Sequence, residues 1–212
     1  MKVLNKLMIS AVTLVLLTGC SSQKISASKF QDKVDNLEVH FYSKAIVSYN
    51  IERKGHGRYW EDETEQKSGR IVFKYVEDDW EPVDEDVDLT IFYSDRFIID
   101  SILYSIEGTA GMEEDLHELD DEDFQTNVTY YTNPLKMVVH EKGIKWGGVI
   151  GYTPNSYQTF DVDNSHTITF DKYGFVTKYS LKIDEKITHV NNDGTVTGTV
   201  KGTETYSITY KD

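Results

Sequence analysis

The chain has one cysteine in 212 residues, Cys20. No disulfide can form within it, so even in an oxidising compartment the fold must hold by packing alone. Positive charge is also scarce: 22 Lys and Arg stand against 36 Asp and Glu, for a formal charge of −14. Nucleic-acid phosphate repels such a chain, which excludes nucleic acid as a partner. Anionic lipid headgroups repel it too, so a carboxylate-rich face is expected to point away from any nearby membrane.

Signatures of catalysis are missing. There is no G-x-S-x-G elbow. Gly147-Gly148-Val149-Ile150-Gly151 lacks the Lys-Ser/Thr of a phosphate loop and reads as a turn or bulge. The six histidines, at 40, 56, 117, 140, 166 and 189, show no metal-ligand spacing, which argues against zinc. Asp161, Asp163 and Ser165 begin like a calcium loop, but His166 replaces the required Gly and Lys172 the final Glu. That segment reads instead as a hairpin turn. The carboxylate pair of a glycoside hydrolase is defined in space rather than along the chain, and among this many acids chance pairs are certain. No catalytic residue, metal or cofactor is expected, and the chain is read as non-enzymatic.

One long apolar run is present, Leu7 to Leu17, preceded by Lys2 and Lys6. It is too short for a membrane-spanning helix, which needs ~20 residues, but it has the length and flanks of a signal-peptide core. It leads into Leu17-Thr18-Gly19-Cys20. This tetrapeptide resembles the lipobox of bacterial lipoproteins. The resemblance implies that a diacylglyceryl group joins the Cys20 sulfur and that the chain is cut between Gly19 and Cys20. Two acyl chains exceed the one-chain limit for stable anchoring, since each buried methylene contributes about 0.8 kcal/mol. The expected location is the cell envelope. The protein would sit on the extracytoplasmic face of the plasma membrane, or, with Ser21 rather than Asp after the Cys, on an outer membrane if the cell has one. Loss of Lys2 and Lys6 with the signal makes the remainder two charges more negative.

Three segments follow: residues 1–19 as signal peptide, 20–28 as lipidated Cys and polar tether, and 29–212 as one β-rich domain. Phe30, Val34 and Leu37 have helical spacing, and Ser28 is placed to cap that helix. Alternation then takes over from Val39 through Phe41, Ala45 and Val47 to Ile51, a long strand with one dry face. Further strands run through Ile71, Phe73 and Tyr75 and through Leu89, Ile91 and Tyr93. Residues 95–107 and 112–124 read as short covering helices.

The clearest pattern lies near the C-terminus. From Phe175 to His189 the odd positions read Phe, Thr, Tyr, Leu, Ile, Glu, Ile, His, while the even ones are mostly Lys, Ser, Asp and Thr. Asn191-Asn192-Asp193-Gly194 supplies a hairpin turn. From Val196 to Tyr210 the even positions carry the apolar set. Two strands approaching ~50 Å at ~3.3 Å per residue result, with Gly198 and Gly202 as kink points. The fold class is mainly β (α+β): a strongly curved antiparallel sheet of long strands with an N-terminal helix.

Such a sheet, with an N-terminal helix and a lipobox, resembles the LolA/LppX superfamily of half-barrel carriers. Asn133-Pro134-Leu135 is similar to the start of that family's short lid helix, and Ile168 to Phe175 to its turn between late strands. The resemblance implies a concave apolar cavity for a lipid-like ligand. On the C-terminal hairpin, Tyr179, Leu181, Ile183, Tyr206, Ile208 and Tyr210 are the residues that would line it. The same alternation also describes a closed core. The leading expectation is therefore a lipid-anchored monomer that holds an apolar or amphiphilic ligand. The alternative is an acidic envelope interaction module with a filled core, a protein or cell-wall partner, and an exposed aromatic patch drawn from Trp60, Trp80 and Trp146. The acidic runs from Glu77 to Asp88 and from Glu113 to Asp123 read either as weak sites for hard cations or as solvated faces.

Overall fold

The computed structural model describes residues 22–57, 63–77, 79–84, 122–149, 156–191 and 194–212. Cys20 and Gly19, the helix expected over 95–107, the strand through 89–93 and Trp60 all lie outside these residues, as does most of the helix expected over 112–124, whose described end, 122–124, is not helical but leads into a strand that starts at Phe124. The elements are β1 (Gln23–Ile25), α1 (Ala27–Val34), β2 (Lys44–Gly57), β3 (Thr64–Val76), β4 (Asp79–Pro82), β5 (Phe124–Thr132), β6 (Lys136–Val149), β7 (Tyr157–Phe170), β8 (Val176–Asn191) and β9 (Gly194–Lys211). The strands form one sheet in the order β1-β5-β6-β7-β8-β9-β2-β3-β4, paired antiparallel throughout and open at both ends.

The C-terminal hairpin is the part that the alternation foretold. Tyr179, Leu181, Ile183 and Ile187 of β8 are buried, as are Val200, Glu204, Tyr206 and Ile208 of β9. Register runs from Lys178 opposite Ser207 to Asn191 opposite Gly194. A register shift between Trp146 and Val149 places a bulge in the Gly147-Gly148 stretch.

Several local expectations change. The helix is capped by Ser26, whose hydroxyl accepts from the Lys29 N–H at 3.3 Å. Ser28 already lies one residue inside the helix, where its backbone is helical and cannot serve as cap. Part of the expected tether is structured, because Gln23, Lys24 and Ile25 pair with Thr132, Tyr131 and Tyr130. Residues 39–43 alternate but form no strand. The ladders on both sides end at Lys44, opposite Lys211 and Lys74, and only Ser43 reaches further, donating to the Lys211 carbonyl at 3.0 Å and accepting from the Tyr75 N–H at 2.9 Å. Without partners Val39 and Phe41 stay exposed, while Tyr42 packs on Phe175 and Tyr210.

Asn133-Pro134-Leu135 begins no lid helix. It makes the β5–β6 turn, with Tyr131 opposite Lys136 and Asn133 at a positive φ of 59° that Asn tolerates. Asp161 to Ser165 is no turn either. It runs mid-strand, flanked on both sides by β6 and β8. The actual β7–β8 turn lies at Asp171 to Phe175, where the Asp171 carboxylate accepts from the N–H groups of Tyr173 and Phe175. Gly174 there has φ 87°, which a side chain would strain.

The core lies on one face of the sheet. Phe30 and Val34 of α1 cover it at one end, with the Phe30 ring 4.7 Å from that of Tyr130. Burying each such side chain contributes roughly 1.5–3 kcal/mol. Gly202 sits on this face opposite Arg53 and Ile183. A Cβ there would overlap the Glu52 carbonyl oxygen and come within 2.9 Å of the Arg53 Cα. Both are backbone atoms of the paired strand and cannot step aside. Gly202→Ala is therefore expected to destabilise by about 1–3 kcal/mol in urea unfolding. An unchanged midpoint would contradict this account of the β2–β9 approach.

Candidate functional site

Of the six residues expected to line a ligand cavity, five are 1–8% exposed and Tyr210 is half-buried. They come together, but as part of the core. Their polar tips find partners inside the protein. The Tyr206 hydroxyl donates to Glu204 Oε2 at 2.8 Å, and that of Tyr179 shares a 2.7 Å hydrogen bond with His166 Nδ1. The Tyr210 hydroxyl donates to the Val176 carbonyl at 3.0 Å. Burial pushes the Tyr210 phenol above its ordinary value, with Asp171 and Tyr42 adding to the effect.

Sequence reasoning missed a belt of polar groups across this same inner face. Register aligns Thr126, Glu141 and Asn164 on β5, β6 and β7, and Ile183, Gly202, Arg53 and Glu65 on β8, β9, β2 and β3. Glu204 is 1% exposed and accepts from Arg53 Nε at 2.7 Å as well as from the Arg53 terminal nitrogen. Asn164 donates to Glu185 at 2.7 Å and accepts from the Asp184 N–H. Glu141 meets Lys145 at 2.8 Å and His166 at 3.3 Å. A signal for the belt existed. Glu185 and Glu204 occupy positions of apolar parity in the two C-terminal strands, where an unpaired charge would cost several kcal/mol.

The opposite, outward face has a different character. Across the nine strands it carries twelve Lys and Arg side chains against six Asp and Glu. The inner face of the same strands is close to balance, with Arg53, Lys67 and Lys145 against Glu65, Glu141, Glu185 and Glu204, so the cationic excess of the sheet belongs to its outward face. One cross-strand row reads Lys24, Tyr131, Lys136, Thr169, Lys178, Ser207, Ser48, Arg70. Between two further rows, Lys182–Thr203–Glu52–Gln66 and Asp184–Lys201–Lys54–Thr64, lies a depression of about 590 Å³. Ile183 is the one expected ligand residue that contributes to its lining. Trp146 is 63% exposed and stacks on Tyr157, with Ile144 exposed beside it. Trp80 instead packs against Tyr75 and Tyr210.

Among the described residues, no three His, Cys, Asp or Glu side chains gather into a metal set, and no helix is long and apolar enough to cross a membrane. Most of the two acidic runs falls outside those residues. Compared with protein-family models, curated proteins and solved structures, the chain matches none.

Glu141 gives the belt a measurable signature. Burial raises its carboxyl, but the hydrogen bonds and charges of His166 and Lys145 outweigh that and hold it at about 2, below the ordinary 4.5. A carboxyl depressed in the folded state adds stability that is complete above about pH 4.5 and is lost as pH falls towards 2. The contribution is on the order of 2 kcal/mol. Urea midpoints measured from pH 5 down to about 2 should fall more steeply for the parent protein than for Glu141→Gln. Parallel curves would remove Glu141 as a source of acid sensitivity.

Proposed function

We propose that this protein is a lipid-anchored, extracytoplasmic lipoprotein that acts by non-catalytic binding, as an envelope interaction module built on a filled core. One observation carries the reading. The residues that would line an apolar cavity are already packed against one another and against α1, and their hydroxyls are engaged internally. A ligand on that face would have to displace Tyr206 and Ile208 from a core to which each contributes roughly 1.5–3 kcal/mol. Binding is then left to the outward face and its exposed Trp146. The anchor rests on Leu17-Thr18-Gly19-Cys20 alone.

The competing reading is an apolar-ligand holder of half-barrel curvature, as the resemblance to the LolA/LppX superfamily implies. Native mass spectrometry of the protein released from its anchor separates the two. A clean apo mass, with no uptake of added lipid, supports the filled core. A co-purifying lipid-sized mass that disappears on Tyr206 substitution supports the holder. Ile183→Asp should abolish folding, since Ile183 is 8% exposed and a buried unpaired carboxylate costs several kcal/mol; normal solubility with an unchanged melting temperature would sink that expectation. For the anchor, labelled palmitate should be incorporated by the parent chain and not by Cys20→Ser. Equal labelling of the two would place the lipid elsewhere or nowhere.

A further inference from the structure

We propose that the outward face of the sheet docks on anionic lipid headgroups, so that the domain lies against the membrane with its cationic side down. The inference rests on the anchored reading above and adds an orientation to it.

Three observations meet here. First, the outward face is cationic although the chain is acidic. Lys136, Lys178, Lys182 and Lys186 are directed outward on β6 and β8. Among the described residues, no ion pair engages these four. Of the acids beside them, Asp163 is occupied by His140 and Lys142 and Asp184 by Lys201, while Asp161 stands opposite Lys186 without forming an ion pair with it. Second, the cations are spread in two dimensions. Lys24, Lys136 and Lys178 are each two strands apart, or ~10 Å at the usual strand spacing, and the three β8 lysines are ~13 Å apart along the strand. A grid of separated charges complements a surface of scattered negative headgroups, whereas a single linear polyanion would need only one row. Third, β1 begins three residues after Cys20, and Lys24 in β1 heads the cross-strand row. Acyl chains on Cys20 would hold that end of the row at the bilayer surface. At the other end of β6 stands Trp146, exposed and stacked on Tyr157. Tryptophan favours the headgroup level of a membrane because its ring is apolar and its N–H polar. One lipid anchor joined to a basic patch is a recurrent two-signal mode of membrane attachment.

The test uses the full lipidated protein reconstituted in vesicles of phosphatidylcholine alone or in an equal mixture with phosphatidylglycerol. Both carry brominated acyl chains that quench indole fluorescence. The share of quenching lost in Trp146→Phe reports on Trp146. That share should appear with phosphatidylglycerol, be absent with phosphatidylcholine alone, and be lost in high salt, which screens headgroup charge. The triple variant Lys136→Glu, Lys178→Glu, Lys182→Glu should abolish it, and the corresponding triple Arg variant should retain it. All variants should stay folded with a melting temperature close to the parent's, since Lys178 and Lys182 are exposed and Lys136 loses no more than its contact over the Tyr131 ring. Quenching of Trp146 that is equal in both vesicle types overturns the proposal. So does capture of soluble polyphosphate without lipid-dependent quenching, which would assign the face to a free polyanion. The acyl mass on Cys20 is read separately. Its absence sinks the anchored reading, while an anchored protein whose Trp146 ignores phosphatidylglycerol sinks only the docking face.

Discussion

The pairing of β9 with β2 is the contact on which the rest of the molecule depends. β2, β3 and β4 form one antiparallel run, and β5 to β9 form another that follows chain order. Among the described residues, the one ladder that joins them runs between β9 and β2, from Lys44 opposite Lys211 to Gly57 opposite Gly198. It links segments about 150 residues apart, so a large loop must close before any of its hydrogen bonds form. Each residue that settles this register therefore affects the whole sheet. Arg53 and Glu204 face each other across the seam, in contact at 2.7 Å, with Glu204 wholly withdrawn from water and Arg53 partly so. A slip of one residue would turn Glu204 to the outward face and leave Arg53 without its short carboxylate contact, keeping only the longer one to Glu65 at 3.8 Å. Buried ion pairs add little net stability, but they penalise the wrong register heavily.

That division explains what could be read from the sequence. Alternation is a local property, so the burial pattern of β8 and β9 was legible residue by residue. Gly202 could be marked as unusual because a glycine on a dry face has few explanations. Strand order is not local. Nothing in residues 39–43 reveals that the ladders on both sides of β2 end at Lys44, and so their alternation suggested a strand where none forms. Nothing in Ser22 to Ile25 reveals that β5 offers an edge. The inner polar belt was visible as two misplaced glutamates, but its meaning was not, because Arg53 and Asn164 become their partners only after β2 and β7 have been placed.

The sorting of charge has the same origin. The even positions of β8 read as lysine-rich in the sequence itself, yet a basic strand in an acidic chain carries little weight alone. Only when five further strands are aligned beside it, β1, β2, β3, β6 and β9, do their outward cations fall on one surface. Side-chain period two puts each strand's cations on a common side, and register then puts those sides together. The candidate site is therefore a property of the sheet and of no single motif, in keeping with a chain that lacks every short catalytic signature.

Net charge and contact charge also answer different questions. A formal charge of −14 describes the field felt far from the molecule, and at physiological ionic strength that field is screened beyond ~8 Å. At contact, only the charges facing the partner remain unscreened. A chain that is acidic overall and a sheet face that is cationic are then compatible. Repulsion from the acidic remainder does not cancel attraction at the basic face. If Cys20 carries the proposed anchor, the two residues between it and β1 would leave the domain little room to drift away, and contact charge would then decide which face it presents.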